Sequence, residues 1–127
     1  MAGARMRRVN EAIREVVSTH IAEDLADPRI GFVTVTAVDT TPDLRHARVY
    51  VTVLGGESER ERALQGLDAS RGYLQAQIGS ELTMKRTPTL EFRYDESTDR
   101  GIRISRLIDE AVPGGGEAVR DENEGDK

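Results

Sequence analysis

From about Arg7 to Leu25 the apolar residues Val9, Ile13, Val16, Val17, Ile21 and Leu25 recur at helical spacing, which predicts one amphipathic helix with a single buried stripe. Asp27-Pro28 stops it, because the residue before a proline is pushed out of helical geometry. The period then changes from helical to alternating. Val33, Val35 and Ala37 face one way in Phe32–Val38, with Thr34 and Thr36 facing the other. After the turn cluster Asp39-Thr40-Thr41-Pro42-Asp43, Ala47, Val49, Val51 and Val53 alternate with Arg48, Tyr50 and Thr52. Two such runs predict an antiparallel hairpin with one buried face, closed at its far end by Gly55-Gly56.

Glu57 to Leu82 returns to helical spacing, with Leu64, Leu67, Leu74 and Ile78 on one face and Glu57, Glu59 and Glu61 suited to the N-terminal dipole. Ser70-Arg71-Gly72 interrupts that face. A glycine in a helix interior costs about 1 kcal/mol relative to alanine, so the segment reads as two helices joined at a bend, or as a helix with Gly72 at its C-cap. Leu90, Phe92 and Tyr94 then alternate with Glu91 and Arg93 in a third strand, with Pro88 at its entrance. Ser97 or Thr98 caps an expected last short helix carrying Ile102, Leu107 and Ile108. The order is α-β-β-α-kink-α-β: an α+β chain with a three-stranded sheet and helices on its one apolar face. Residues 1–110 form the expected domain, and 111–127, opening with Pro113-Gly114-Gly115-Gly116, an expected disordered acidic tail.

Composition narrows the function classes. With 37% hydrophobic and 4% aromatic residues in 127, the core is modest. There is no cysteine, which excludes disulfides, thiolate metal sites and cysteine nucleophiles and fits a reducing cytosol. No apolar run approaches the ~20 residues of a membrane span, and the basic N-terminus lacks the apolar segment of a secretory signal. The expectation is a small cytoplasmic protein with no membrane partner. Its net charge of −5 is unevenly spread. Glu117, Asp121, Glu122, Glu124 and Asp126 in the tail account for much of it, while basic residues cluster at Arg5, Arg7, Arg8, at Arg45, Arg48, at Lys85, Arg86 and at Arg100, Arg103, Arg106. Such clusters bind phosphates through local potential even when total charge is unfavourable.

Candidate catalytic groups are sparse. His20 and His46 have no ligand-like neighbours, so neither predicts a metal site. Asp24/Asp27 and Asp95/Asp99 are spaced for acid–base work but lie at element ends, where aspartate caps and turns are ordinary. The glycine run lacks the Lys and Ser/Thr of a phosphate loop. No enzyme, metal or cofactor is expected. The basic groups instead suggest RNA: Arg5, Arg7 and Arg8 as a flexible arm, Lys85 and Arg86 on one surface with the Ser70-Arg71-Gly72 corner, and Arg45 and Arg48 beside the hairpin. Arg48 reads equally as a cross-strand partner of Glu91. A free-standing RNA chaperone would stack bases on exposed sheet aromatics, and only Tyr50 is placed for that.

Several segments together resemble the ribosome-binding factor A family, bacterial assembly factors of the small ribosomal subunit with a type II KH fold. They are Arg5-Met6-Arg7-Arg8-Val9-Asn10, Leu25-Ala26-Asp27-Pro28-Arg29, Gly31-Phe32-Val33-Thr34-Val35-Thr36-Ala37-Val38 and Asp43-Leu44-Arg45-His46-Ala47-Arg48-Val49-Tyr50-Val51. They continue with Arg86-Thr87-Pro88-Thr89-Leu90-Glu91-Phe92-Arg93-Tyr94-Asp95-Glu96-Ser97 and Gly101-Ile102-Arg103-Ile104-Ser105-Arg106-Leu107-Ile108. An ordinary KH domain clamps about four nucleotides with a Gly-x-x-Gly loop, which this chain lacks. The family instead has an Ala-x-Gly kink, read here as Ser70-Arg71-Gly72 with serine for alanine. The resemblance implies a non-enzymatic factor that binds the free or immature 30S subunit, contacts 16S rRNA, and supports its late 5′-end maturation, above all in the cold. The alternative is a general RNA chaperone or another KH-type RNA-binding module. A monomer is expected, since every apolar stripe has a use within the domain.

Overall fold

The computed structural model describes residues 3–97. Its elements are α1 (Ala4–Glu23), β1 (Val33–Thr40), β2 (His46–Val53), α2 (Glu57–Ala69), α3 (Arg71–Glu81) and β3 (Thr89–Tyr94), the type II KH-like α+β order that the hydrophobic pattern predicts. The expected helix at Ile102–Ile108 and the tail from residue 111 lie outside the described residues.

The strands are ordered β1-β2-β3, with β1–β2 antiparallel and β2–β3 parallel. A parallel pair needs a long crossover, and α2 and α3 supply it. One sheet face, with Val35, Val38, Ala47, Val49, Val51, Val53 and Leu90, is buried against Ile13, Val16, Val17 and Ile21 of α1 and Leu67, Leu74 and Ile78 of the crossover helices. The opposite face exposes Thr34, Asp39, Arg48, Glu91 and Arg93. The free side of β3 is covered too: the Leu90 N–H donates to the Gln75 Oε1 at 2.9 Å, tying α3 along that edge.

Three local expectations change. First, the alternation in β1 is not strict. A bulge between Val35 and Ala37 pairs Val35 with Val51 but Ala37 with Tyr50, so Ala37 turns outward and Val38 turns into the core. Second, Arg5, Arg7 and Arg8 are not a flexible arm. Helix α1 begins at Ala4, and the Arg7 N–H donates to the Gly3 carbonyl at 3.0 Å. Alanine, arginine and methionine are all strong helix formers, and nothing in the segment breaks the helix.

Third, the bend is made by Ser70 rather than by Gly72. Ser70 lies between the helices at φ −95°, ψ 4°, its N–H shared between the Gly66 and Leu67 carbonyls at 3.1 and 3.0 Å. Gly72 is the second residue of α3, which rules out a C-cap, and a β-carbon there would meet nothing within 4 Å. Gly66 in α2 is crowded instead, since a β-carbon there would stand 2.8 Å from the Ile30 Cγ1 and 3.3 Å from the Arg29 Cβ. Its bare backbone lets α2 pack directly on the Asp27–Ile30 loop.

Candidate nucleic-acid interface

Arg5, Arg8, Val9 and Ala12 recur at i, i+3, i+4 and i+7 and so form one stripe of α1. That stripe and Leu82, Thr83 and Met84, in the segment from α3 to β3, enclose a groove of about 230 Å³. Asn10 fixes the stripe over the sheet: its Oδ1 accepts the Thr40 N–H at 3.0 Å, joining the N-terminal half of α1 to the end of β1. Arg5 and Arg8 are exposed, as are Lys85 and Arg86 directly after Met84. Among the described residues none of these four has an acidic partner. Nor does α1 relieve Arg5 and Arg8, since its first turn has no acidic residue and Gly3 offers no side-chain cap. Cations at the positive end of a helix dipole lower stability by about 0.3–1 kcal/mol each. Arg7 lies off this stripe and makes its own interaction.

The other basic candidates lie in a different setting. Arg48 and Arg71 line a cleft of about 520 Å³ near the hairpin turn, together with Asp39, Thr41, His46 and Glu91. Charges alternate there. Arg48 stands between Asp39 on β1 and Glu91 on β3, with its Nε 3.7 Å from the Glu91 Oε1. Arg93 also holds Glu91, and that hydrogen bond, with smaller attraction from Arg48, keeps the Glu91 carboxyl below the usual range. Arg71 pairs with Asp68 at 3.2 Å and Arg45 with Asp43 at 3.6 Å. Asp43 in turn shapes the hairpin turn, accepting from the Thr41 hydroxyl at 2.7 Å and the Arg45 N–H at 3.1 Å.

The ten residues singled out from the sequence therefore do not gather at one corner. Arg71 is the first residue of α3, whereas Lys85 and Arg86 follow its last, a separation of roughly 15 Å along the helix axis. Contacts along α3 agree with this: Gln75 meets Leu90 by hydrogen bond, and Gly79 lies against Thr87. Ser70 makes the bend, Gly72 follows it in α3, and neither lines either cavity. Sequence reasoning missed Asn10, Ala12, Leu82 and Met84. Ala12 was in principle visible as the helical repeat of Arg5 and Arg8, but the loop residues opposite it had no sequence signal.

The remaining titratable groups serve structure. Asp27 is held at about 2 by the Arg29 side chain and backbone N–H, in a loop turn rather than a catalytic pair. Asp24 accepts the Tyr73 hydroxyl at 2.5 Å and also faces His20 Nδ1, while His20 Nε2 lies 2.5 Å from Glu81. Among the described residues no group of three or more His, Cys, Asp or Glu side chains is placed to hold a metal ion, and no helix is long and apolar enough to cross a membrane.

Comparison with known proteins connects this arrangement to one family. The family model for ribosome-binding factor A matches residues 5–108. A ribosome-binding factor A from Macrococcus caseolyticus is 45% identical over 106 residues, covering 84% of this chain and 93% of its own. The crystal structure of the Thermus thermophilus ribosome-binding factor A superposes with a TM-score of 0.63 at 29% identity, over 70% of this chain and 94% of that one. A homology model of the Thermus thermophilus factor fitted into the cryo-EM map of its 30S complex gives a TM-score of 0.58 at 30% identity, over 69% and 92% of the two chains. Since the match runs from the arginines at the start of α1 past the end of β3, the whole described fold is shared, and the chain belongs to the ribosome-binding factor A family.

Proposed function

We propose that this protein binds the free or immature 30S subunit through 16S rRNA and supports late maturation of the 5′-end region of that RNA, with its greatest effect in the cold. It acts in the cytoplasm as a monomer, with no cofactor and no catalytic step. The observation that carries this reading is the set of four exposed cations, Arg5, Arg8, Lys85 and Arg86, without acidic partners among the described residues of a chain of net charge −5. Family membership and the 30S complex of the Thermus thermophilus relative support the small subunit as the target.

The basic residues then divide by the cost of engaging phosphate. Arg5, Arg8, Lys85 and Arg86 release only counterions on binding. Arg45, Arg48 and Arg71 must first leave Asp43, Glu91 and Asp68, exchanges that carry a small cost at exposed sites. Arg7 contributes to the field of the same helix end, while Ser70 sets the angle between α2 and α3 and Gly72 lies within the first turn of α3.

Sedimentation with purified small subunits over a salt series tests the reading. Co-sedimentation at low salt that weakens steeply as salt rises is expected. No co-sedimentation at low salt would overturn the proposal, and equal affinity for unrelated RNA would favour a general RNA chaperone.

A further inference from the structure

The groove between α1 and the α3–β3 segment has a composition that phosphate binding alone does not explain. Its floor is apolar, made by Val9, Ala12, Leu82 and Met84, all half-buried. Its rim carries Arg5 and Arg8, and Lys85 follows Met84 in the chain. A duplex presents phosphates and keeps its bases stacked inside, so a duplex-binding surface gains nothing from an apolar trough between its cations. A single strand alternates charged phosphates with flat, weakly polar rings that can be splayed from the chain. That alternation matches this rim and floor.

We propose that the groove seats one unstacked nucleobase of a single-stranded RNA segment, with the flanking phosphates on Arg5, Arg8 and Lys85. The proposal rests on the RNA-binding reading above and goes beyond it by naming the structural state of the RNA. Size agrees: about 230 Å³ is below the roughly 300–1,000 Å³ of pockets for drug-sized ligands and cofactors, so one base is accommodated without a whole dinucleotide. The Met84 thioether is polarisable and makes favourable contact with aromatic rings. The guanidinium planes of Arg5 and Arg8 provide stacking surfaces, and the Thr83 hydroxyl at the groove supplies a polar contact for a base edge. A peptide of acidic residues alone would satisfy the cations but leave the trough exposed.

Fluorescence anisotropy of the full chain with a labelled short single-stranded RNA, and with the same strand annealed to its complement, tests the groove. Ala12→Leu fills the trough with a good helix former and leaves every charge in place. It is expected to weaken single-strand binding about tenfold, roughly the loss of burying one small apolar face, with duplex binding and the salt slope unchanged. Met84→Gln, which keeps volume but makes the floor polar, is expected to act in the same direction, so a folding defect in either variant leaves the other decisive. Arg5→Gln with Arg8→Gln should weaken both forms of RNA. Wild-type affinity for the single strand in both floor variants would overturn the groove, as would a polyaspartate peptide competing as well as RNA. If those results came with normal 30S binding, the subunit reading would stand without the groove, whereas a wild-type chain that bound no 30S would remove the reading itself.

Discussion

The two ends of α1 are built in opposite ways. At the C-terminal end polar groups form a network: His20 lies between Asp24 and Glu81, Tyr73 donates to Asp24, and the His20 and Tyr73 rings meet edge to face at 6.2 Å. A cation there also complements the negative end of the helix dipole. At the N-terminal end Arg5 and Arg8 lie toward the positive end of the same dipole and make no ion pair among the described residues, Glu11 being held by Arg14. A sequence selected only for stability would not leave one end in this state. The C-terminal end thus fastens α1 to α3, while in the proposed function the charges of the N-terminal end serve the partner.

The largest expected effect removes both ends at once. Gly66→Val drives a side chain into Ile30 and Arg29 and should destabilise the fold by about 1–3 kcal/mol, seen as a lower urea midpoint. An unchanged midpoint would mean that α2 does not pack on the Asp27–Ile30 loop as described. A smaller effect separates the ends by pH. Hydrogen bonds to Asp24 and then Glu81 raise the pKa of His20 above its ordinary 6.5. The stability His20 contributes is therefore fully present below pH 6.5 and is lost as pH rises through the raised value. Urea midpoints of the wild type should fall over that interval, and those of His20→Ala should fall less; parallel curves would remove the fastening role. The smallest effect is at the other end. Arg5→Glu should raise stability by about 0.3–1 kcal/mol, because an acid replaces a base at the helix N-terminus, while binding to the subunit weakens. A loss of stability in that variant would show that Arg5 has a structural partner.

Much of the fold was legible because burial dictates it. The stripe of α1 and the alternation of β2 follow directly from which residues reach the core. The bulge in β1 was not legible, since it depends on Val35 and Ala37 pairing with Val51 and Tyr50 of another strand. Glycine was misleading for a similar reason. Gly72 interrupts a helical face but has open space around it, whereas Gly66 is crowded by a loop far away in sequence. Among the candidate site residues the clusters were legible but their pairing was not. Arg71 and Asp68 stand at a readable i,i+3 spacing, whereas Arg48 and Glu91 pair only through the parallel register of β2 and β3. The apolar floor beside Arg5 and Arg8 needed α1 and the α3–β3 segment to be brought together, which no local pattern encodes.

In the proposed function the cations unpaired among the described residues, rather than the paired ones, hold the subunit. The most direct test is the salt dependence of 30S affinity for two double variants, Arg5→Gln with Arg8→Gln and Arg45→Gln with Arg48→Gln. The first pair should lose roughly 10- to 100-fold in affinity and about 2 units of log–log salt slope, with the second pair close to wild type. A second pair that lost affinity and slope while the first retained both would contradict the account.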